Sequence, residues 1–575
     1  DQTDRNLADT WAARIADAVE KDAKNLILVV ADMARSKPPM HSAFVAEFAR
    51  RVQGRHHAQA LPLTWIDQSL AESGLTTAQL VQAENQQQAA DQLSVGNSIG
   101  SLRLLGKLDW REFVESMSTV ERILRCDPAG FYREMDFATR DRYRHAVEAM
   151  ARNGRLSEPE VAQAALDLAT HAGAGSDERA GHVGYYLIDA GLPQLERAVH
   201  AHFSLRRQLR DTRLRLFLYL GAIFAITATG AAIALFKAHL DGVHGWTMVW
   251  VAALSALCAS QLAVAIVNRV GCMLIAPHIL PRMDFSDGIA ASARTLVVVP
   301  AMLSDTGAVA TLIEALEIRF LANRDQCALF GLLTDFDDAS EETTVDDERL
   351  LREATHGIEV LNQQYRNADG STCFFLFHRP RRWNAQERVW MGRERKRGKL
   401  GDLNALLRGA LPDASFSQVT GAMAALSAVK YVVTLDADTR LPRDAVRRLA
   451  ATMAHPLNRP RYDAARRRVV AGYGILQPRA MISLPSAQRS RFARLHAGDG
   501  GIDPYTRAVS DAYQDLFGEG SFIGKGIYDV DAFELALKGR LPHNRILSHD
   551  LLEGCYARSG LVSDVELYED YPPSY

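Results

Sequence analysis

The sequence predicts an α/β domain, with a mostly parallel sheet covered by helices on both faces, preceded by an all-α region and a transmembrane helical hairpin. Three observations carry this. Residues 1–205 show helical periodicity and little β signal, two long uncharged runs follow within 206–270, and from residue 295 short apolar strands alternate with amphipathic helices. The chain has 575 residues, 47% hydrophobic and 23% charged, enough for several domains, and its formal net charge of −3 gives no sign of a nucleic-acid partner.

In the helical region, segments such as LADTWAARIADAVEKDAKNLILVVADMA and TTAQLVQAENQQQAADQL are rich in Ala, Gln, Leu and charge. The pattern suits an amphipathic bundle that buries its own faces, and nothing in it carries chemistry. The six cysteines, Cys126, Cys258, Cys272, Cys327, Cys373 and Cys555, are far apart and form no Cys-x-x-Cys, so neither a zinc site nor a disulfide framework is expected.

The hairpin begins after FSLRRQLRDTRLR, which holds five arginines, and its first span is read over 216–236. A short polar break, KAHLDGVHG, leads to a second span over 246–267, with Trp246 and Trp250 near one end. The arginines place residues 1–213 and those from 269 onward in the cytoplasm, with 237–245 on the opposite side. Residues 271–294, apolar but interrupted by proline, are expected to be an interfacial linker that lies on the membrane surface or leads into the next domain.

In the last part, 295–575, strands are read at TLVVV (295–299), ALFGLLTD (328–335), CFFLFHR (373–379), YVVTLDAD (431–438) and RVVAGYGILQ (468–477). Near-continuous apolar strands joined by helices such as AVATLIEALEIRFLA and RDAVRRLAATMA mean a parallel sheet buried on both faces. Ligands gather at the carboxyl ends of such strands.

Several carboxylates lie there. On an extended segment, side chains two apart share a direction, so Asp436 and Asp438 are expected to offer both carboxylates to one spot, where hard oxygen donors suit Mg²⁺ or Mn²⁺. The plainer alternative has Asp436 capping the turn and Asp438 opening the next helix. Asp335 also closes a strand, and KLGDLN opens a helix with Lys399 five residues before Asn404. The loop GEGSFIGKGIYDV suits close backbone approach to a ligand, and SHDLLEG puts Asp550 at a helix start, where capping is its commonest role.

The motifs VVVPAMLSD, LLTD, KLGDLN, LDADT, GILQP, GKGIYDV and HDLLEG together resemble the processive, membrane-bound family-2-like glycosyltransferases. The segments VVTLDADTRLPRDAVRRLAATMAHPLNRP, FFLFHRPRRWN and EGSFIGKGIYDVDAFE are similar to the glycosyltransferase part of cyclic β-1,2-glucan synthases. Upstream, AENQQQAADQLSVGNSIGSLR and FATRDRYRHAVE extend the resemblance over most of the chain.

The resemblance implies a GT-A-like domain using UDP-glucose in the inner membrane of a bacterium. By it, Asp335 contacts the uracil ring, Lys399 and Asn404 lie near the nucleotide, and Asp436 and Asp438 hold the metal and the diphosphate. Gln477 lies close to the sugar or acceptor, Lys525 and Gly526 line the acceptor path, and Asp550 is the catalytic base. It also implies inversion at C1 and a β-1,2-glucan that starts on the protein itself. A C-terminal phosphorylase-like module of the full-length protein then adjusts chain length.

The sequence departs from the pattern in two ways: no Gln-x-x-Arg-Trp follows Asp550 within the residues up to Tyr575, and the phosphorylase-like module and any further transmembrane helices are expected to lie outside these residues. RPRRW at 379–383 precedes the Asp-x-Asp segment and is read as a basic surface or nucleotide-side segment. With DQTDRN at its start and YEDYPPSY at its end, the chain is expected to be part of a longer polypeptide and the 295–575 domain C-terminally incomplete. The alternatives are another membrane β-glucan synthase, of cellulose or β-1,3-glucan type, and a non-catalytic membrane scaffold.

Overall fold

The computed structural model describes residues 2–21, 23–53, 60–172, 178–201, 212–274, 279–366, 370–411, 415–496, 512–546, 549–572 and 574. It divides into two compact units, Asp1–Met117 and Ser118–Tyr575. The arginine-rich segment before Thr212 lies largely outside the described residues.

The first unit is helical: Gln2–Lys21, Leu26–Ser36, Ser42–Val52, Ala60–Ala71, Thr77–Lys107 and Trp110–Met117. Ala8, Trp11, Ile15 and Ala18 recur at helical spacing and are buried, with Phe44, Phe48, Ile66 and Leu70 completing the core. The sequence Thr76-Thr-Ala-Gln79 starts the longest helix as a capping box. Thr76 Oγ1 accepts from Gln79 N at 3.2 Å and Gln79 Oε1 accepts from Thr76 N at 3.0 Å.

The second unit is built on strands β1 Thr295–Leu303, β2 Ala328–Phe336, β3 Phe374–His378, β4 Arg382–Asn384, β5 Val389–Met391, β6 Gln418–Thr420, β7 Tyr431–Thr434, β8 Arg461–Asp463, β9 Arg468–Ala471, β10 Ile475–Ile482, β11 Gly526–Asp529 and β12 Ser559–Glu569. Eight form one sheet in the order β12-β10-β11-β7-β1-β2-β3-β6, while β4-β5 and β8-β9 are separate ribbons. β11 and β6 run antiparallel to their neighbours, and the other pairings in the sheet are parallel.

Side-chain alternation on these strands fills two cores. Val297 and Val299 of β1 face one, with Leu316 and Ile358 from the helices Thr306–Ala322 and Asp347–Gln364. Leu296 and Val298 face the other, with Leu403 and Phe533 from Arg395–Leu407 and Val530–Leu537. Helices thus cover both faces of a mostly parallel sheet, as the apolar strands predict.

Four expectations need correction. The helical region is not one body over 1–205: the helices between Ser118 and Ala201 share a core with the sheet, where Tyr143, Val147 and Met150 pack with Val297 and Leu449. Helical periodicity marks a buried face but not the partner that buries it. RVVAGYGILQ is two strands, because Gly472 turns the chain at φ +64, where a Cβ would lie 1.9 Å from Arg459 O. YVVTLDAD ends its strand at Thr434, so Asp436 and Asp438 lie beyond the ladder.

The fourth correction concerns the linker. Residues 275–278 lie outside the described residues, but Leu280, Met283 and Ile289 are buried against protein. Met283 N donates to Ala451 O at 3.1 Å and Asp284 N to Glu134 O at 2.7 Å, so this stretch ties the helical segment to the sheet-bearing part.

The two apolar helices extend over Thr212–Leu240 and Trp246–Leu274, longer than the spans read from hydropathy because helical hydrogen bonding continues into polar flanks. They pack on each other, Tyr219 OH donating to Asn268 Oδ1 at 2.8 Å. Both are long and apolar enough to cross a membrane, with mean hydropathy 2.0. Only 0% and 6% of their most apolar stretches are buried in protein, unlike the core helices of a soluble domain.

A buried polar chain joins the helical segment to the sheet. Asp127 Oδ2 lies 2.9 Å from His182 Nδ1, and Tyr143 OH lies 3.2 Å from His182 Nε2 and 3.4 Å from His455 Nε2. All four residues are buried. His455 Nδ1 accepts from Leu457 N, which leaves Nε2 as its donor toward Tyr143. Tyr143→Phe keeps the ring but orphans two imidazole nitrogens. It should cost about 1–3 kcal/mol of unfolding free energy, measured by denaturant unfolding; an unchanged midpoint would show that water replaces the hydroxyl.

Candidate active site

The site forms where parallel strands end. Asp335 is the penultimate residue of β2, and its carboxylate is gripped by Arg379: Nε to Oδ1 at 2.9 Å and Nη2 to Oδ2 at 2.9 Å. Lys399 Nζ lies 3.4 Å from the same Oδ2, and Arg379 also reaches Asp402 at 2.8 Å. A Cβ on Gly392 would sit 2.0 Å from Asp335 Oδ2, so the backbone closes over the carboxylate. Arg379 and Arg381 of RPRRW are buried in ion pairs with Asp335 and Asp347, so these two are not a basic surface.

Asp436, Ala437 and Asp438 form a turn after β7. Its shape is fixed from below by the buried Arg319, which donates to Ala437 O at 2.6 Å and Thr439 O at 2.8 Å. Asp438 is exposed, and its charge supports Arg319 against the burial that lowers the guanidinium pKa. Asp436 is half-buried between two ammonium groups: Lys396 Nζ is 2.5 Å from Oδ1 and Lys525 Nζ 3.1 Å from Oδ2. Burial pushes the Asp436 pKa up, but Lys396 and Lys525 outweigh it, and the carboxyl is held below its ordinary value.

Lys396 also donates to Gly524 O at 2.8 Å, which brings the 518–530 loop to the turn. Gly524 has φ +85, and a Cβ there would lie 3.0 Å from both oxygens of Asp550. Asp550 is the first residue of the helix Asp550–Ala557, whose cap position, His549, makes no side-chain cap bond. Asp550 Oδ1 is buried with no hydrogen-bond partner among the described residues. Burial raises the Asp550 pKa; His549 and Lys396 pull it down, while Glu553 and Asp436 push it up, and the net shift is upward.

Behind Asp550, His549 Nδ1 lies 2.9 Å from Glu553 Oε1 and 3.4 Å from Asp550 Oδ1. Glu553 is buried, and its Oε2 has no partner among the described residues. The ligand atoms of His549, Asp550 and Glu553 lie within 4.8 Å of one another, a grouping able to share a proton or hold a cation.

The remaining candidates spend their side chains on packing. Asn404 is buried, accepting from Tyr528 OH at 2.9 Å and donating to Glu534 at 3.0 Å. Gln477 is buried too, accepting from Ile523 N at 3.0 Å and so holding the glycine-rich loop. At Gly526, φ is +149 and a Cβ would sit 2.3 Å from Leu476 O, so β11 reaches β10 only through glycine.

The structure thus brings Asp436, Lys525 and Asp550 together through Lys396, and Asp335 and Lys399 together through Arg379. Both groups meet on one helix, Arg395–Leu407, where Lys396 and Lys399 are three residues apart on one face. Sequence reasoning missed Lys396 because it opened that helix at Lys399; the signal was the cationic run RERKRGK just upstream. It also missed His549, Glu553 and Glu569, the last an ion-pair partner of Lys525.

No protein-family model matches the chain. Over 542 residues it is 39% identical to the cyclic β-(1,2)-glucan synthase NdvB of Rhizobium meliloti (strain 1021), an alignment that covers 93% of this chain and 19% of that protein. The chain therefore spans about one fifth of the length of the curated relative it matches. Nearly all of it is thus related to one segment of a cyclic β-(1,2)-glucan synthase, the resemblance that its motifs carry.

Proposed function

We propose that the chain is the glucosyltransferase part of a cyclic β-1,2-glucan synthase. In this reading a GT-A-like domain at the cytoplasmic face of a bacterial inner membrane transfers glucose from UDP-glucose, with inversion, to a growing β-1,2-glucan. The observation that carries it is the placement of Asp550, a half-buried carboxylate of raised pKa whose Oδ1 accepts no hydrogen bond among the described residues, beside the cationic cluster at Asp436. The likeness to a β-(1,2)-glucan synthase favours this linkage over cellulose or β-1,3-glucan, and a scaffold has no need of a half-buried carboxylate oxygen that accepts no hydrogen bond among the described residues.

Glucose in the donor is α-linked, so a β product follows from a single in-line displacement at C1. Asp550 accepts the proton of the attacking hydroxyl, and its raised pKa improves it as a base. His549, whose Nδ1 is held by Glu553, stands 3.4 Å behind Asp550. On the leaving side, Lys396 and Lys525 swing from Asp436 to the diphosphate. Unit charges about 4 Å apart near a protein surface interact by roughly 4 kcal/mol, enough to matter for the barrier. Asp335 and its Arg379 and Lys399 partners form the wall for the uridine.

Asp436, kept ionised, and Asp438, exposed on a turn fixed by Arg319, are hard oxygen donors that fit Mg²⁺ or Mn²⁺. Bound there, the ion would neutralise charge that builds on the leaving diphosphate.

Two predictions test the assignment in full-length protein supplied with labelled UDP-glucose. Asp550→Asn should leave UDP binding intact yet slow transfer by a factor on the order of 10² to 10⁴, because an amide cannot take the proton. Near-normal transfer would move the base elsewhere. In the wild type the acid limb of the rate–pH profile should fall above the ordinary aspartate pKa of 3.8. Lys396 lowers the Asp550 pKa, so Lys396→Met should shift that limb to higher pH as well as slow transfer by roughly 10-fold or more. A limb that stays in place would separate Asp550 from the titration.

A further inference from the structure

At the base of the two apolar helices, where they join the rest of their unit, lies a cavity of about 1010 Å³. One wall is apolar and belongs to the helices, with Leu218, Val270 and Leu274. The other carries three guanidinium groups, of Arg142, Arg179 and Arg558, and the first apolar helix adds a fourth, Arg215, against two lining carboxylates, Asp189 and Asp515.

The arginines differ in how they are compensated. Arg179 pairs with Asp189 at 2.5 Å, and Arg558 with Glu519 at 3.3 Å. Arg215 donates to Leu516 O at 3.0 Å, fastening the first apolar helix to the helix Ala512–Phe517. Arg142 is half-buried and donates to the backbone oxygen of Ile279, and no carboxylate pairs with it among the described residues. Burial pushes its pKa down, and the neighbouring Tyr143 offsets only part of that.

We infer that this cavity binds the phosphate headgroup of an anionic phospholipid, with the acyl chains lying along the two apolar helices. The inference rests on those helices crossing a membrane. A phosphate ester supplies the charge that Arg142 lacks, and arginine's planar donor fork suits it. The apolar wall distinguishes a lipid from free phosphate: it continues onto exposed helix surface, Leu218 and Leu274 being 48% and 78% exposed. The position also fits, since basic pockets at the cytoplasmic ends of membrane helices take acidic headgroups.

The test uses the full-length protein in detergent, with lipid binding read by native mass spectrometry. Phosphatidylglycerol should be retained at about one per chain and preferred over phosphatidylcholine by roughly tenfold, with Arg142→Gln weakening it roughly five- to tenfold. Gly271→Phe should also weaken it without touching an arginine: the residue lines the apolar side, and its Cβ would meet only Leu516, at 3.6 Å. Equal retention of the two lipids, unchanged binding in both variants, or full displacement by millimolar inorganic phosphate would overturn the lipid site. Release of the protein from membranes by alkaline carbonate would overturn the membrane reading itself. Protein that stays in the membrane without preferring phosphatidylglycerol would sink this inference alone.

Discussion

Like charges crowded at one edge of a sheet set the main constraint on this structure. Asp335, Asp436, Asp550, Glu553 and Glu569 all lie around the carboxyl ends of the strands, and so many carboxylates in a half-buried place repel one another. They are tolerable because one helix, Arg395–Leu407, brings Lys396 and Lys399 to that edge, joined by Arg379 and Lys525. The chain enters the helix through Glu394 and Arg395, both at positive φ (+58 and +47), a conformation that costs non-glycine residues energy. Such strain persists where the surroundings over-determine it, and here the lysines that follow are fixed by the carboxylates they neutralise.

The same edge is braced from outside the sheet. Arg319, on the helix between β1 and β2, shapes the Asp436–Asp438 turn through backbone oxygens. The helix after that turn ends at His455, which meets Tyr143 of the upstream helical segment. The apolar helices attach through Ala512–Phe517, where Tyr219 packs edge-on against Phe517 and Gln514 donates to Leu561 O of β12 at 2.8 Å. The helices between Ser118 and Ala201, the apolar hairpin and the sheet thereby belong to one compact unit, so a change at the hairpin base has a packed route to the strand ends.

The strands β1, β2, β3 and β7 were legible because near-continuous runs such as TLVVV and ALFGLLTD have few other fates. β11 was not: it is four residues long, starts at a glycine and reads as loop. Amphipathic helices announce a buried face without naming its partner, which is why the boundary at Met117 and Ser118 was invisible. In the site, Asp436, Lys525 and Asp550 could be picked from motifs and do converge around Lys396. Asn404 and Gln477 stand in equally suggestive motifs, yet their amides are consumed by Tyr528, Glu534 and the backbone of the glycine-rich loop. A motif fixes residue identity; the direction of a side chain depends on which neighbours need its hydrogen bonds.

The most direct test of the central claim is a structure of the full-length protein with UDP and Mn²⁺ bound. The account predicts the diphosphate between Lys396 and Lys525, both ammonium groups turned from Asp436 toward phosphate oxygens, the ion on Asp436 and Asp438, and Asp550 facing the sugar side. A diphosphate bound elsewhere, with the Lys396–Asp436 pair intact, would contradict it.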